Sequence, residues 1–125
     1  MATQTTTTEA ATLLAASEIK GSTVRNRQRE EIGEIDEVLI DPDSGRVRFA
    51  ILSVGGFLGL GSTRVAVPWS ALEVSRQGGK VSYVLDATKE RLEKAPRVEG
   101  KNYERLYAQE TAEPVFVYWD EVWIA

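Results

Sequence analysis

Two residue types are missing altogether from the 125-residue chain: it has no cysteine and no histidine. Without cysteine there is no disulfide, no thiolate nucleophile and no cysteine-based zinc site. Without histidine the commonest general base near neutral pH and the commonest metal ligand are gone as well. No catalytic residue, metal or cofactor is therefore assigned, and the expectation is a protein that is not an enzyme. Long apolar runs are missing too. No stretch approaches the roughly 18 apolar residues that a membrane-spanning helix needs, so no membrane span is expected. The N-terminal "MATQTTTTEAATLLAAS" lacks a basic segment, and its short apolar stretch is interrupted by Thr12, which makes a poor secretory signal. A cytoplasmic location is the resulting expectation. Positive charge is in the minority, with 15 Lys and Arg against 19 Asp and Glu for a net −4, which disfavours nonspecific binding to nucleic acid.

What is present suits a single globular domain: 42% of residues are apolar and 27% charged, enough for one modest core. Residues 1–16 form a threonine- and alanine-rich leader expected to be flexible. From Ser17 onward the pattern is that of strands. "STVRNRQ" (22–28) reads as a first strand. In "EIGEIDEVLID", Ile32, Glu34, Asp36, Val38 and Ile40 alternate with Ile35, Glu37 and Leu39, which predicts opposite faces for the two sets, with a clean period of two only toward the end of the stretch. "DPDSG" (41–45) is a turn, with proline setting φ, Asp and Ser bonding to nearby backbone, and Gly45 tolerating positive φ. "RVRFAILSV", "TRVAVPW" and "ALEVSRQ" come next as strands, and Gly78-Gly79 turns the last of them into "KVSYVLD". Asp86 or Thr88 is placed to cap a short helix, "KERLEKA", which Pro96 ends. Five or six short strands at tight spacing predict an all-β fold, a small barrel or sandwich.

Residues 55–61, "GGFLGLG", raise the question of a phosphate site. The spacing from Gly56 to Thr63 fits G-x-x-x-x-G-K-[ST], but Ser62 stands where the phosphate-neutralising lysine belongs. The segment after it alternates like a strand, whereas a phosphate loop opens a helix. Gly55, Gly56, Gly59 and Gly61 are therefore expected to turn the chain between two strands. Turning a chain does not require Phe57, Leu58 and Leu60. These three apolar side chains either plug one end of the barrel or form an exposed tip that contacts a partner.

The stretch "IGEIDEVLIDPDSGRVRFAILSVGGFLGLGSTRVAVPWSAL", Ile32 to Leu72, closely resembles the PRC-barrel family. That family includes the cytoplasmic domain of the photosynthetic reaction centre H subunit and a ribosome maturation factor. The resemblance runs from about Ser17 to Asp86. It implies a PRC-barrel domain over 17–86, a small β-barrel that docks onto other proteins, followed at 87–125 by a short helix and an aromatic extension. No transmembrane helix precedes the barrel here, and no separate N-terminal β domain, so the expectation is the stand-alone bacterial form.

Other groupings are weaker. The acidic run Glu30, Glu31, Glu34, Asp36 and Glu37 has no nucleophile or base beside it and reads as a solvated face. "DPDSG" departs from a calcium loop at Gly45 and Arg46. Arg25, Arg27 and Arg29, like Arg46 and Arg48, form basic stripes that are expected to pair with Glu34, Asp36 or Glu37 rather than bind nucleic acid. Six of the ten aromatic residues lie beyond residue 100, so that tail is expected to pack on the barrel, a second copy or another protein. The functional expectation is a non-enzymatic protein-interaction module, a homodimer that also docks on another protein, with Phe57, Leu58, Leu60, Trp119 and Trp123 as contacts. The alternative is a ribosome- or RNA-associated assembly factor.

Overall fold

The computed structural model describes residues 13–55, 62–101 and 103–123. In chain order the elements are helix α1 (Ala16–Ile19), strands β1 (Thr23–Arg25), β2 (Glu31–Ile40), β3 (Val47–Gly55) and β4 (Ser62–Pro68), a 3-10 turn (Trp69–Ala71), β5 (Leu72–Gln77) and β6 (Lys80–Leu85). Helix α2 (Lys89–Glu93), a second 3-10 turn (Tyr103–Tyr107) and helix α3 (Gln109–Tyr118) complete it. The six strands make one sheet in the order β4-β3-β2-β1-β6-β5, antiparallel except for the β1–β6 pair. The all-β architecture expected of the sequence is present, but the sheet is not closed. β4 and β5, joined through the Trp69–Ala71 turn, are its two edges and do not pair with each other. Among the described residues no helix is long and apolar enough to cross a membrane.

Local chemistry explains most boundaries. Gly78 and Gly79 both take positive φ, 57° and 78°, as a two-residue hairpin turn requires. In the 41–45 turn, the Asp41 carboxylate accepts the Asp43 N–H and the Ser44 hydroxyl, both at 3.0 Å, while Gly45 sits at φ 76°. These hydrogen bonds, the Asp43 amide first, hold the Asp41 carboxyl below its ordinary pKa. Thr88 caps α2 by accepting the Arg91 N–H at 3.1 Å, and the helix stops at Glu93, two residues short of the predicted "KERLEKA".

Two expectations are corrected. The first strand ends at Arg25, not Gln28, because Asn26 folds the chain into a turn. Its side-chain oxygen accepts the N–H groups of Gln28 and Glu30 at 3.0 Å each, and its amide donates to the Glu30 carboxylate at 2.8 Å. Asn26 is only 3% exposed. We expect Asn26→Ala to cost about 1–3 kcal/mol in a urea titration, because two backbone donors lose their acceptor. Strict alternation along β2 also fails. Ile35 pairs with Leu52 but Glu37 with Ile51, so Asp36 is an extra residue, and a second irregularity lies opposite Val24–Arg25. Bulges shift the parity of a strand, which is how Ile32 and Ile35 are both buried.

The core arises from the register. Ala50, Leu52, Val65, Val67 and Ile35 share one face of the sheet, while Phe49, Ile51, Ala66 and Pro68 share the other. All are buried. β3 and β4 are thus covered on both sides, which accounts for their unbroken apolar runs. On the first face, Val24, Tyr83, Leu85 and Leu92 belong to the same buried cluster. Burial raises the Tyr83 hydroxyl above its ordinary pKa. The folded state therefore favours the neutral phenol, and its stability contribution is complete below the unfolded pKa of about 10 and falls as pH rises beyond it. Urea titrations on either side of that pH should show a decline that Tyr83→Phe reduces.

Candidate interaction surface

The second face of β3 and β4 is covered by the C-terminal extension. Ala112, Val115, Phe116 and Trp119 recur at helical spacing on α3, and all four are buried. Phe116 meets Phe49 edge to face, with centroids 5.3 Å apart. Trp119 is 4% exposed and its indole N–H donates to the Ala66 carbonyl at 3.3 Å. Past the helix, Asp120 takes φ 58° while its N–H donates to Val117 and the Glu121 N–H to Phe116, a Schellman ending without the usual glycine. Arg91 of α2 reaches the same place. Its guanidinium lies 4.8 Å from the Trp119 ring centroid, donates to the Tyr118 carbonyl at 2.7 Å and pairs with Asp120 at 3.1 Å.

Arg64 fastens the start of the extension. It pairs with Asp36, the extra residue of β2, at 2.8 Å, and donates to the Gly100 carbonyl and the Tyr103 hydroxyl. Burial works against its charge, but the Tyr103 hydroxyl and the Asp36 carboxylate outweigh that effect and hold its pKa above the ordinary value. Alongside, residues 96–98 run against the outer edge of β4. The Ala66 N–H donates to the Pro96 carbonyl at 3.3 Å and the Val98 N–H to the Arg64 carbonyl at 2.8 Å. One edge of the open sheet is therefore covered by the chain itself.

The other edge is not covered by any described residue. No backbone hydrogen bond to β5 comes from anything but β6 and the preceding 3-10 turn, among the described residues. β5 pairs with β6 from Leu72↔Leu85 to Gln77↔Lys80 without a bulge. Val74 stands opposite the buried Tyr83, on the core-facing side, yet is 42% exposed because no strand lies beyond it. Trp69 is partly buried, its ring tilted against that of Tyr83 with centroids 6.1 Å apart.

Of the residues assigned from sequence, Gly55 ends β3 at φ 86° opposite Ser62. The antiparallel ladder runs from Phe49↔Pro68 to Gly55↔Ser62, and β4 begins at Ser62 as a strand, not a helix. Among the described residues on either side of 56–61, no helix N-terminus faces the segment to receive a phosphate. Gly56, Phe57, Leu58, Gly59, Leu60 and Gly61 lie outside the described residues. Trp119 is in the core of its own chain and offers nothing to an outer surface. Trp123 is half-buried, edge to face with Phe116 at 5.3 Å and under the Arg48 guanidinium at 4.8 Å. The structure does not bring Trp119 and Trp123 together as an exposed pair.

Beside the base of the glycine hairpin is a cleft of about 630 Å³ between the end of the sheet and α2, lined by Glu31, Glu34, Glu93, Lys89 and Arg97 among others. Mixed charge of this kind selects no one ligand. Gly33 lies in its wall, where a Cβ would come within 3.1 Å of the Ser53 carbonyl oxygen. We expect Gly33→Ala to destabilise by about 1–3 kcal/mol through this overpacking, seen as a lower denaturation midpoint with unchanged slope. Arg25 and Arg27 pair, but with other acids than expected. Arg25 binds Glu31 and Arg27 binds Glu73, each at 2.9 Å, while Asp36 is taken by Arg64 and Glu37 by Lys20.

The family described as PRC-barrel domain matches residues 11–92 of the chain. No curated protein matches it.

Proposed function

The chain belongs to the PRC-barrel family, and on that premise we propose that it is a non-enzymatic protein-interaction module that self-associates and docks on another protein. The observation that carries this reading is the contrast between the two sheet edges. β4 is covered by residues 96–98, whereas β5 presents an unbulged edge with an exposed valine. Sheet edges that are neither covered nor bent are templates for another chain. Ion pairing of Arg25, Arg27 and Arg64 with carboxylates favours a protein partner over a nucleic acid, since paired cations release fewer counterions on binding a phosphate backbone.

The test is sedimentation equilibrium of the full chain across a wide concentration range. A mass that rises above the 13.8 kDa of one chain with concentration is the expected result. A mass that stays at one chain throughout would overturn the self-association reading.

A further inference from the structure

We propose that the β5 edge pairs antiparallel with the β5 edge of a second copy of this chain, with Val74 on the two-fold axis. The inference rests on the self-association reading and names the surface and the register. In a two-residue hairpin the residues flanking the turn exchange both backbone bonds, so Gln77, Ser75 and Glu73 bond to β6. The N–H and C=O of Val74 then point away from the sheet. The Leu72 N–H, which shares that direction, is bound by the Trp69 carbonyl, and this agrees with the assignment.

Isologous pairing requires outward-pointing residues to face each other. Centring on Val74 meets that condition and lets the two valines exchange both backbone bonds. Leu72 comes opposite Arg76 and Glu73 opposite Ser75, so no like charges are apposed. A register centred on Glu73 would set two carboxylates against each other. A centre at Ser75 would leave Val74 facing Arg76. The Val74 register places apolar against apolar on the core-facing side of the sheet, where Leu72 and Tyr83 are already buried, without setting like charges against each other. The second copy covers Val74, which the described residues leave 42% exposed. β5 carries one acid and one base, Glu73 and Arg76, so the strand itself adds no repulsion to the pairing.

The absence of cysteine makes the test direct, since Val74→Cys introduces the only thiol. Opposed Cα atoms in such a pair lie about 5.5 Å apart, within disulfide range. Mild oxidation of full-length Val74→Cys should give a covalent dimer, and Ser75→Cys, which faces Glu73 of the second copy and lies out of disulfide range of its own equivalent, should not. Val74→Lys should weaken the dimer on the order of tenfold by sedimentation, because two ammonium groups meet on the axis. A wild-type dimer that neither cross-links at Val74→Cys nor weakens with Val74→Lys overturns the β5 interface while self-association stands. Cross-linking at Ser75→Cys alone overturns the register. A monomeric wild type overturns both.

Discussion

Trp119→Ala should lower stability by about 3–5 kcal/mol, the range for emptying a buried aromatic site. Domains of this size hold only about 5–15 kcal/mol in all, so the variant should melt tens of degrees early or lose a cooperative transition. Three contacts end together: burial against the second face of β4, the indole hydrogen bond to Ala66, and the stacking of Arg91. Ending the chain at Gly100 should be more severe, since it also removes Phe116 and strips cover from Phe49 and Ala66. Circular dichroism with a dye for exposed apolar surface measures both. A truncated chain that unfolds cooperatively with the full-length midpoint would show that residues 101–125 are dispensable for folding. It would remove the basis for treating the extension as part of the core.

Arg64→Met should cost about 1–3 kcal/mol, the range for a group that makes charged hydrogen bonds. Arg64 joins three separate stretches, the β2 bulge at Asp36, the Gly100 carbonyl and Tyr103. Because these act through one side chain, their losses should not add. Tyr103→Phe and Asp36→Asn should each cost less than Arg64→Met, and each should have almost no effect in the Arg64→Met background. Full additivity in that double-mutant cycle would mean the three contacts are independent and that Arg64 is not the link. Methionine keeps most of the apolar volume, which separates lost hydrogen bonds from lost burial.

Neighbouring residues supply most of what makes the strands legible in the sequence. The Asp41–Gly45 turn, the Gly78-Gly79 hairpin and the Thr88 cap depend on residues a few positions apart, so their chemistry is visible in a short window. Short apolar or alternating runs bounded by turns locate β3, β4, β5 and β6 for the same reason. Along β2 it breaks down where bulges at Ile32 and Asp36 shift the parity, and a bulge is set by the partner strand rather than by the strand's own residues. Asn26 escapes a reading by pattern because a polar residue inside an apparent strand carries no mark that its amide will close a turn.

The extension is the largest gap. Its aromatic content alone indicates that it packs on something, yet α3 is hidden because Pro114 and the crowded aromatics obscure the Ala112, Val115, Phe116, Trp119 stripe. Trp119 has the character of a contact for a partner and is a core residue of its own chain. Sequence patterning reports that a side chain is apolar, not which surface will cover it.

Residue type and local spacing were enough to establish the strand-rich class, the turns and the absence of cysteine and histidine, while the PRC-barrel family was visible as a resemblance that the family match bears out. Three further outcomes needed the folded chain: the extension turns back over β3 and β4, Arg64 binds it there, and among the described residues one sheet edge is covered while the other is not. They depend on contacts between residues some 35 to 55 positions apart, such as Arg64 with Gly100 and Trp119 with Ala66. The free energy of such contacts comes from burial and geometry that no local window contains.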